Sequence, residues 1–135
     1  MNKEGNVEIT MKLRAIKENH LYSKAYSKGK KFVGKNVVVY VLRDLAASRL
    51  AKENPEKKKI NRVGLTVTKK LGSAVVRNRC KRIIREAYRL SDKENKIMRG
   101  YLIVIVARGG IVRAKSTDVK KDLDRAFSAL SMQIK

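Results

Sequence analysis

Acidic residues are scarce: 12 Asp and Glu face 34 Lys and Arg over 135 residues, a formal charge of +22. An imbalance of that size points to a polyanionic partner, because counterions released from phosphates favour such binding. Cysteine is nearly absent too. Cys80 stands alone, which excludes an internal disulfide, and with His20 as the one histidine there is no set of soft ligands for zinc. There is no Trp and only two Phe, so the bulky apolar anchors of a membrane-surface helix are missing. The longest apolar run, Tyr101–Ala107, falls far short of the roughly 20 residues of a spanning helix. Residues 1–10 carry no apolar core of a secretion signal, and the expected location is the cytoplasm.

At 43% hydrophobic residues the chain can still bury one core, and its length suits one domain. Residues 1–18 are charged and without period, and read as a flexible N-terminal tail with a second possible start at Met11. The single domain then runs over 19–135. Asn19 can cap a short helix with Leu21, Tyr22, Ala25 and Tyr26 on one side and Gly29 at its end. The β-branched run 36–42 reads as a strand, 44–53 as a helical turn or two, and Asn54-Pro55 as its break. Alternation over 62–69 marks a second, half-buried strand. Gly72 and Ser73 turn into a long helix, 91–100 reads as a polar connector, and Tyr101–Ala107 is a third strand. After the loop at Arg108-Gly109-Gly110, Ser116 or Thr117 caps a last helix with core stripe Val119, Leu123, Ala126, Phe127 and Leu130. That order gives an α/β (α+β) two-layer sandwich, a small sheet packed with about three helices.

The long helix concentrates the charge. Between residues 57 and 89 there are twelve Lys or Arg and one acid, Glu86. At 100° per residue Val76, Cys80, Ile83, Ile84 and Ala87 share the dry side, and Cys80 reads as a small buried thiol. Asn78, Arg82, Arg85 and Arg89 fall on the opposite side, flanked by Arg77 and Lys81 and by Arg79. Guanidinium forks suit phosphate oxygens, and such contacts position a nucleic acid without reading its sequence. Glu86 is placed to orient Arg82 or Arg89.

A second feature is aromatic. Tyr22 and Tyr26 share a helix side, and Tyr40 shares a strand face with Val38 and Leu42. The rings either line a groove where unpaired bases stack, at about 1–3 kcal/mol per base, or pack as core; the pattern leaves both open. Catalytic residues are not evident. His20 is isolated, and the acids, Asp122 and Asp124 included, are too scattered for acid–base work or a metal cage.

The segment Arg62-Val63-Gly64-Leu65-Thr66-Val67-Thr68-Lys69-Lys70-Leu71-Gly72, followed by Ala74-Val75-Val76-Arg77-Asn78-Arg79-Cys80-Lys81-Arg82-Ile83-Ile84-Arg85-Glu86, resembles the signature of the bacterial ribonuclease P protein subunit. Its RNR motif stands at Arg77-Asn78-Arg79. The likeness extends to Tyr22-x-x-Ala25-Tyr26-x-x-Gly29, to the strand near Tyr40 and to residues 101–108, about 16–130 in all. The resemblance implies a mixed sheet with a left-handed βαβ crossover and a role in removing the 5′ leader of precursor tRNA. It also implies a catalytic RNA partner that holds most of the Mg²⁺, with a metal site close to the RNR helix. By position, Lys69, Lys70, Arg77, Asn78, Arg79, Lys81, Arg82, Arg85 and Arg89 would face that RNA, and Tyr22, Tyr26, Val38 and Tyr40 would hold the single-stranded leader. No membrane or DNA partner is expected. The tyrosines stand where many members have Phe, and the 44–59 insertion has no assigned role. The competing reading is a ribosomal or other structural RNA-binding protein. A DNA-binding helix-turn-helix is a weaker third, since a strand and a glycine turn precede the basic helix.

Overall fold

A computed structural model describes residues 14–133. Five strands form one mixed sheet in the order β1-β4-β5-β3-β2. In chain order the elements are β1 (Arg14–Ala15), α1 (Asn19–Lys28), β2 (Lys30–Val33), β3 (Val37–Arg43), α2 (Ala47–Glu53), β4 (Arg62–Thr66), α3 (Ala74–Asn95), β5 (Tyr101–Ala107) and α4 (Ser116–Ala129). Short 3₁₀ turns at Lys69–Leu71 and Gly109–Arg113 precede α3 and α4. β4 and β5 are parallel neighbours joined through α3, whereas β3 runs antiparallel to both β5 and β2. The architecture is the expected α+β one. Among the described residues no helix is long and apolar enough to cross a membrane.

The main core lies between one sheet face and the pair α3–α4. Val37, Val39 and Val41 of β3 and Ile103 and Ile105 of β5 point there, against Cys80, Ile84, Ala87 and Tyr88 of α3 and Val119, Leu123 and Phe127 of α4. Because successive strand residues face opposite ways, Leu102, Val104, Tyr40 and Leu42 belong to the reverse face, where α1 inserts Ala25. The two sides of β3 and β5 are both apolar, which is why those strands read as continuous hydrophobic runs.

Three boundaries differ from the sequence reading. Residues 14–18 are not tail: β1 pairs with Arg62 and Val63, Ile16 is buried, and Glu18 binds Arg62. Residues 1–13 of that expected tail lie outside the described residues. α1 begins at Asn19 with Glu18 before it and no side-chain cap. α3 continues through the supposed connector to Asn95, because Ser91 is buried and its hydroxyl donates to Asp124 at 2.6 Å.

The insertion is anchored by charge. Arg62 is 8% exposed and grips Asp44, 2% exposed, through Nε and Nη2 at 2.7 and 2.9 Å, while Nη1 reaches Glu18 at 3.1 Å. One guanidinium thus ties the start of β4 to the residue before α1 and to the turn before α2. Burial pushes the Asp44 carboxyl up, but hydrogen bonds from Arg62 and the Ala46 N–H outweigh it and leave the group below its ordinary range. A depressed carboxyl contributes stability that is complete above the unfolded value and is lost as pH falls through the folded one. Asp44→Ala leaves Arg62 buried and unpaired and is expected to cost about 3–5 kcal/mol in urea unfolding at neutral pH. The penalty should shrink on acidification below about pH 4. A pH-independent loss under about 1 kcal/mol would contradict the anchor.

Candidate nucleic-acid interface

α3 starts where the backbone is made to turn. Gly72 has φ +142°, a conformation L side chains avoid, and the Ser73 hydroxyl accepts from the Val76 N–H at 3.4 Å as an N-cap. From there the apolar stripe seats the helix on the sheet. The cationic residues do not form one uniform face. Asn78, Arg82 and Arg85 are exposed and meet no acid among the described residues, and Lys69 and Lys70 stand exposed on the turn before them. Arg89 is held by Glu86 at 2.7 and 2.9 Å, so of the two partners open to that acid the helix selects the one three residues on.

Two members of the RNR motif are partly committed inside the protein. Arg79 donates to the carbonyls of Val112 and Ala114 at 3.2 and 3.3 Å, fastening the Gly109–Arg113 turn against α3. The Nε of Arg77 is shielded from solvent and has no acceptor among the described residues. The clasp made by Arg79 places Arg113 and Lys115, both exposed, beside the helix. Sequence reasoning missed these two cations. They are distant in sequence, and only the Gly109-Gly110 turn hinted that the chain comes back.

The tyrosines come together on the reverse face. Register sets two rows across four strands: Gly64, Val104, Tyr40 and Lys31, then Thr66, Val106, Val38 and Val33. α1 crosses the sheet below them, from Glu18 beside Arg62 to Gly29 against the Val41 carbonyl. Its Tyr22 ring lies on Gly64 so closely that a Cβ there would sit 2.6 Å from ring atoms. Tyr26 shares a 2.8 Å hydrogen bond with Thr66 and packs edge-on to Tyr40, centroids 5.0 Å apart. Between α1, β4 and α3 lies a cleft of about 500 Å³ whose walls include Ile16, Lys17, Tyr22, Tyr26, Thr66 and Lys81.

Lys81 therefore leaves the cationic face and enters the cleft. Tyr40 adjoins it through Tyr26, and Val38 lies on the same sheet face in the next row, outside those walls. Ile16 and Lys17 come from the stretch read as tail. The dual reading of the rings resolves into both roles: Tyr22 and Tyr40 are half-buried and packed on the smaller core, while Tyr26 is 41% exposed.

Burial, and the neighbouring Tyr26, push the Tyr22 hydroxyl above the ordinary phenolic range. Gly64→Ala should displace that ring toward water and lower its titration midpoint toward the ordinary value. A pH titration of the tyrosine ring resonances reads this directly, and an unchanged Tyr22 midpoint would show that the ring does not rest on Gly64.

Comparison with known proteins agrees with this geometry. Residues 11–131 match the family model described as Ribonuclease P. The Ribonuclease P protein component of Clostridioides difficile is 37% identical over 121 residues, covering 90% of this chain and 95% of that protein. The Ribonuclease P protein component of Clostridium acetobutylicum is 33% identical over 124 residues, 92% and 94% of the two chains. The solved Staphylococcus aureus RNase P protein superposes with a TM-score of 0.68 at 26% identity, over 91% of this chain and 100% of that one. The RNase P protein of Thermotoga maritima, 22% identical, shares the fold with a TM-score of 0.61 over 83% and 96%. On the match of nearly the whole chain, the paired lysines and RNR helix included, the protein belongs to the bacterial ribonuclease P protein family.

Proposed function

We propose that this chain is the protein subunit of a cytoplasmic ribonuclease P holoenzyme, binding its catalytic RNA along α3 and the single-stranded 5′ leader of precursor tRNA in the tyrosine cleft. The observation that carries this reading is the position of Lys81, which belongs to the cationic helix and also lines the cleft. An RNA lying on Arg82 and Arg85 and a strand lying against Tyr22 and Tyr26 would thus meet at one edge. The bond to be hydrolysed joins leader to tRNA, so its place is that edge. Water adds at the phosphorus and the tRNA keeps the 5′ phosphate.

The residues of the protein suit binding rather than chemistry. Its cationic face presents guanidinium and ammonium groups, which repel a divalent cation, and among the described residues no group of three His, Cys, Asp or Glu is gathered. Mg²⁺, held mainly by the RNA subunit, supplies the hydrolytic chemistry. Arg82, Arg85, Lys69 and Lys70 reduce the repulsion between two polyanions, and the aromatic walls orient the leader so that one phosphodiester is presented.

Reconstitution with catalytic RNA and precursor tRNA at low Mg²⁺ is expected to give a correctly trimmed 5′ end. Cleavage by the polypeptide alone, or no stimulation by it, would contradict the proposal. Arg82→Glu with Arg85→Glu should weaken binding to the catalytic RNA and flatten its log–log salt slope by about 0.9 per lost phosphate contact. An unchanged slope would remove those arginines from the interface. Tyr22→Ala with Tyr40→Ala should weaken precursor tRNA binding more than mature tRNA binding. Equal losses would return the rings to a packing role.

A further inference from the structure

The floor of the cleft does not end at Tyr40. In the antiparallel register Lys31 is the direct partner of Tyr40 and Val33 of Val38, so their side chains leave the sheet on the same face. Phe32, between them, turns the other way into the main core. Val33 is 55% exposed, a large apolar side chain left uncovered at the sheet edge. Counting from Gly64 on β4 to Lys31 on β2, the face crosses three strand spacings, about 14 Å. α1 covers none of the outer row formed by Thr66, Val106, Val38 and Val33.

Charge on this side has one sign. Between residues 19 and 43 there is no Asp or Glu, whereas Lys24, Lys28, Lys30, Lys31, Lys35 and Arg43 contribute six cations. These lie on α1 and the β2–β3 hairpin, across the sheet from α3. Apolar floor with cations at its rim fits single-stranded nucleic acid, whose bases bury while its phosphates face out.

We infer that the outer row and Lys31 form a distal leader subsite, which takes the leader nucleotides farther from the cleavage point. The inference rests on the tyrosine cleft being the leader site. Direction follows from the two ends of the floor: Lys81, at one end, stands on the helix proposed to face the catalytic RNA, so nucleotides next to the cut lie there. Those beyond Tyr40 then reach β2, where Val38 and Val33 offer base contact and Lys31 a phosphate contact. Leader length, and not only leader presence, therefore sets affinity in this chain.

The test uses the reconstituted holoenzyme and a set of precursor tRNAs whose leaders are shortened one nucleotide at a time. Lys31→Ser should weaken binding of long-leader precursor several-fold and reduce the log–log salt slope by about 0.7, the value for one contact to a single strand. Lys31→Glu should weaken it further. Both penalties should vanish once the leader is too short to reach β2, with affinity for mature tRNA and for the catalytic RNA alone unchanged. A length-independent penalty, a loss shared with mature tRNA, a loss in binding the catalytic RNA alone, or no loss would each overturn the subsite. Tyr22→Ala serves as the separate control. If it distinguishes precursor from mature tRNA while Lys31 substitutions do nothing, the distal subsite fails and the cleft stands; if it does not, the cleft reading fails first.

Discussion

Uncompensated positive charge on a helix that cannot move is the constraint around which this protein is organised. α3 is seated by Cys80, Ile84, Ala87 and Tyr88, all buried against the sheet and α4. Rotation about its axis would expose that stripe, so the arginines opposite it are fixed in direction. Elsewhere the protein pairs its cations: Arg62 with Asp44 and Glu18, Arg99 with Asp92, Lys120 with Glu94 and Asp124. Arg82 and Arg85 are left without an acid, and like charges one helical turn apart repel by a few tenths of a kcal/mol each. Relief comes from a polyanion.

The second surface depends on strand register. Tyr22 approaches the sheet only because position 64 has no side chain, and it is aimed there by α1, whose start is held by Glu18 on Arg62. Arg62 is one residue outside any proposed contact, yet it sets the height at which the aromatic wall meets its floor. Arg79 does the same on the other side, tying the turn before α4 to the helix. In both cases an arginine with internal partners positions neighbours that have none. Reading every cation of the basic cluster as an RNA ligand would miss this division of labour.

Much of this was legible in the residues. β5 and the buried side of α3 follow from periodicity alone, since Tyr101–Ala107 is an unbroken apolar run and Cys80, Ile84 and Ala87 recur at helical spacing. β1 could not be read, because two residues carry no period and its pairing is with a segment 48 positions later, Arg14 on Arg62. β2 was hidden by its lysines, which an edge strand tolerates on an open face. The end of α3 was misjudged because Ser91 is polar, and its burial depends on Asp124 arriving from α4. Which arginines are free was also beyond sequence reasoning: the acceptors of Arg79 are backbone carbonyls, and carbonyls leave no mark on a sequence.

The most direct measurement of the account is side-chain footprinting of the protein in three states: free, bound to catalytic RNA, and bound to catalytic RNA with precursor tRNA. The account predicts that Arg82 and Arg85 become protected on adding the RNA alone, while Tyr22 and Tyr26 stay reactive until precursor is added. Protection of the tyrosines by the RNA alone, or arginines that remain reactive throughout, would contradict the division into an RNA-facing helix and a leader-holding cleft.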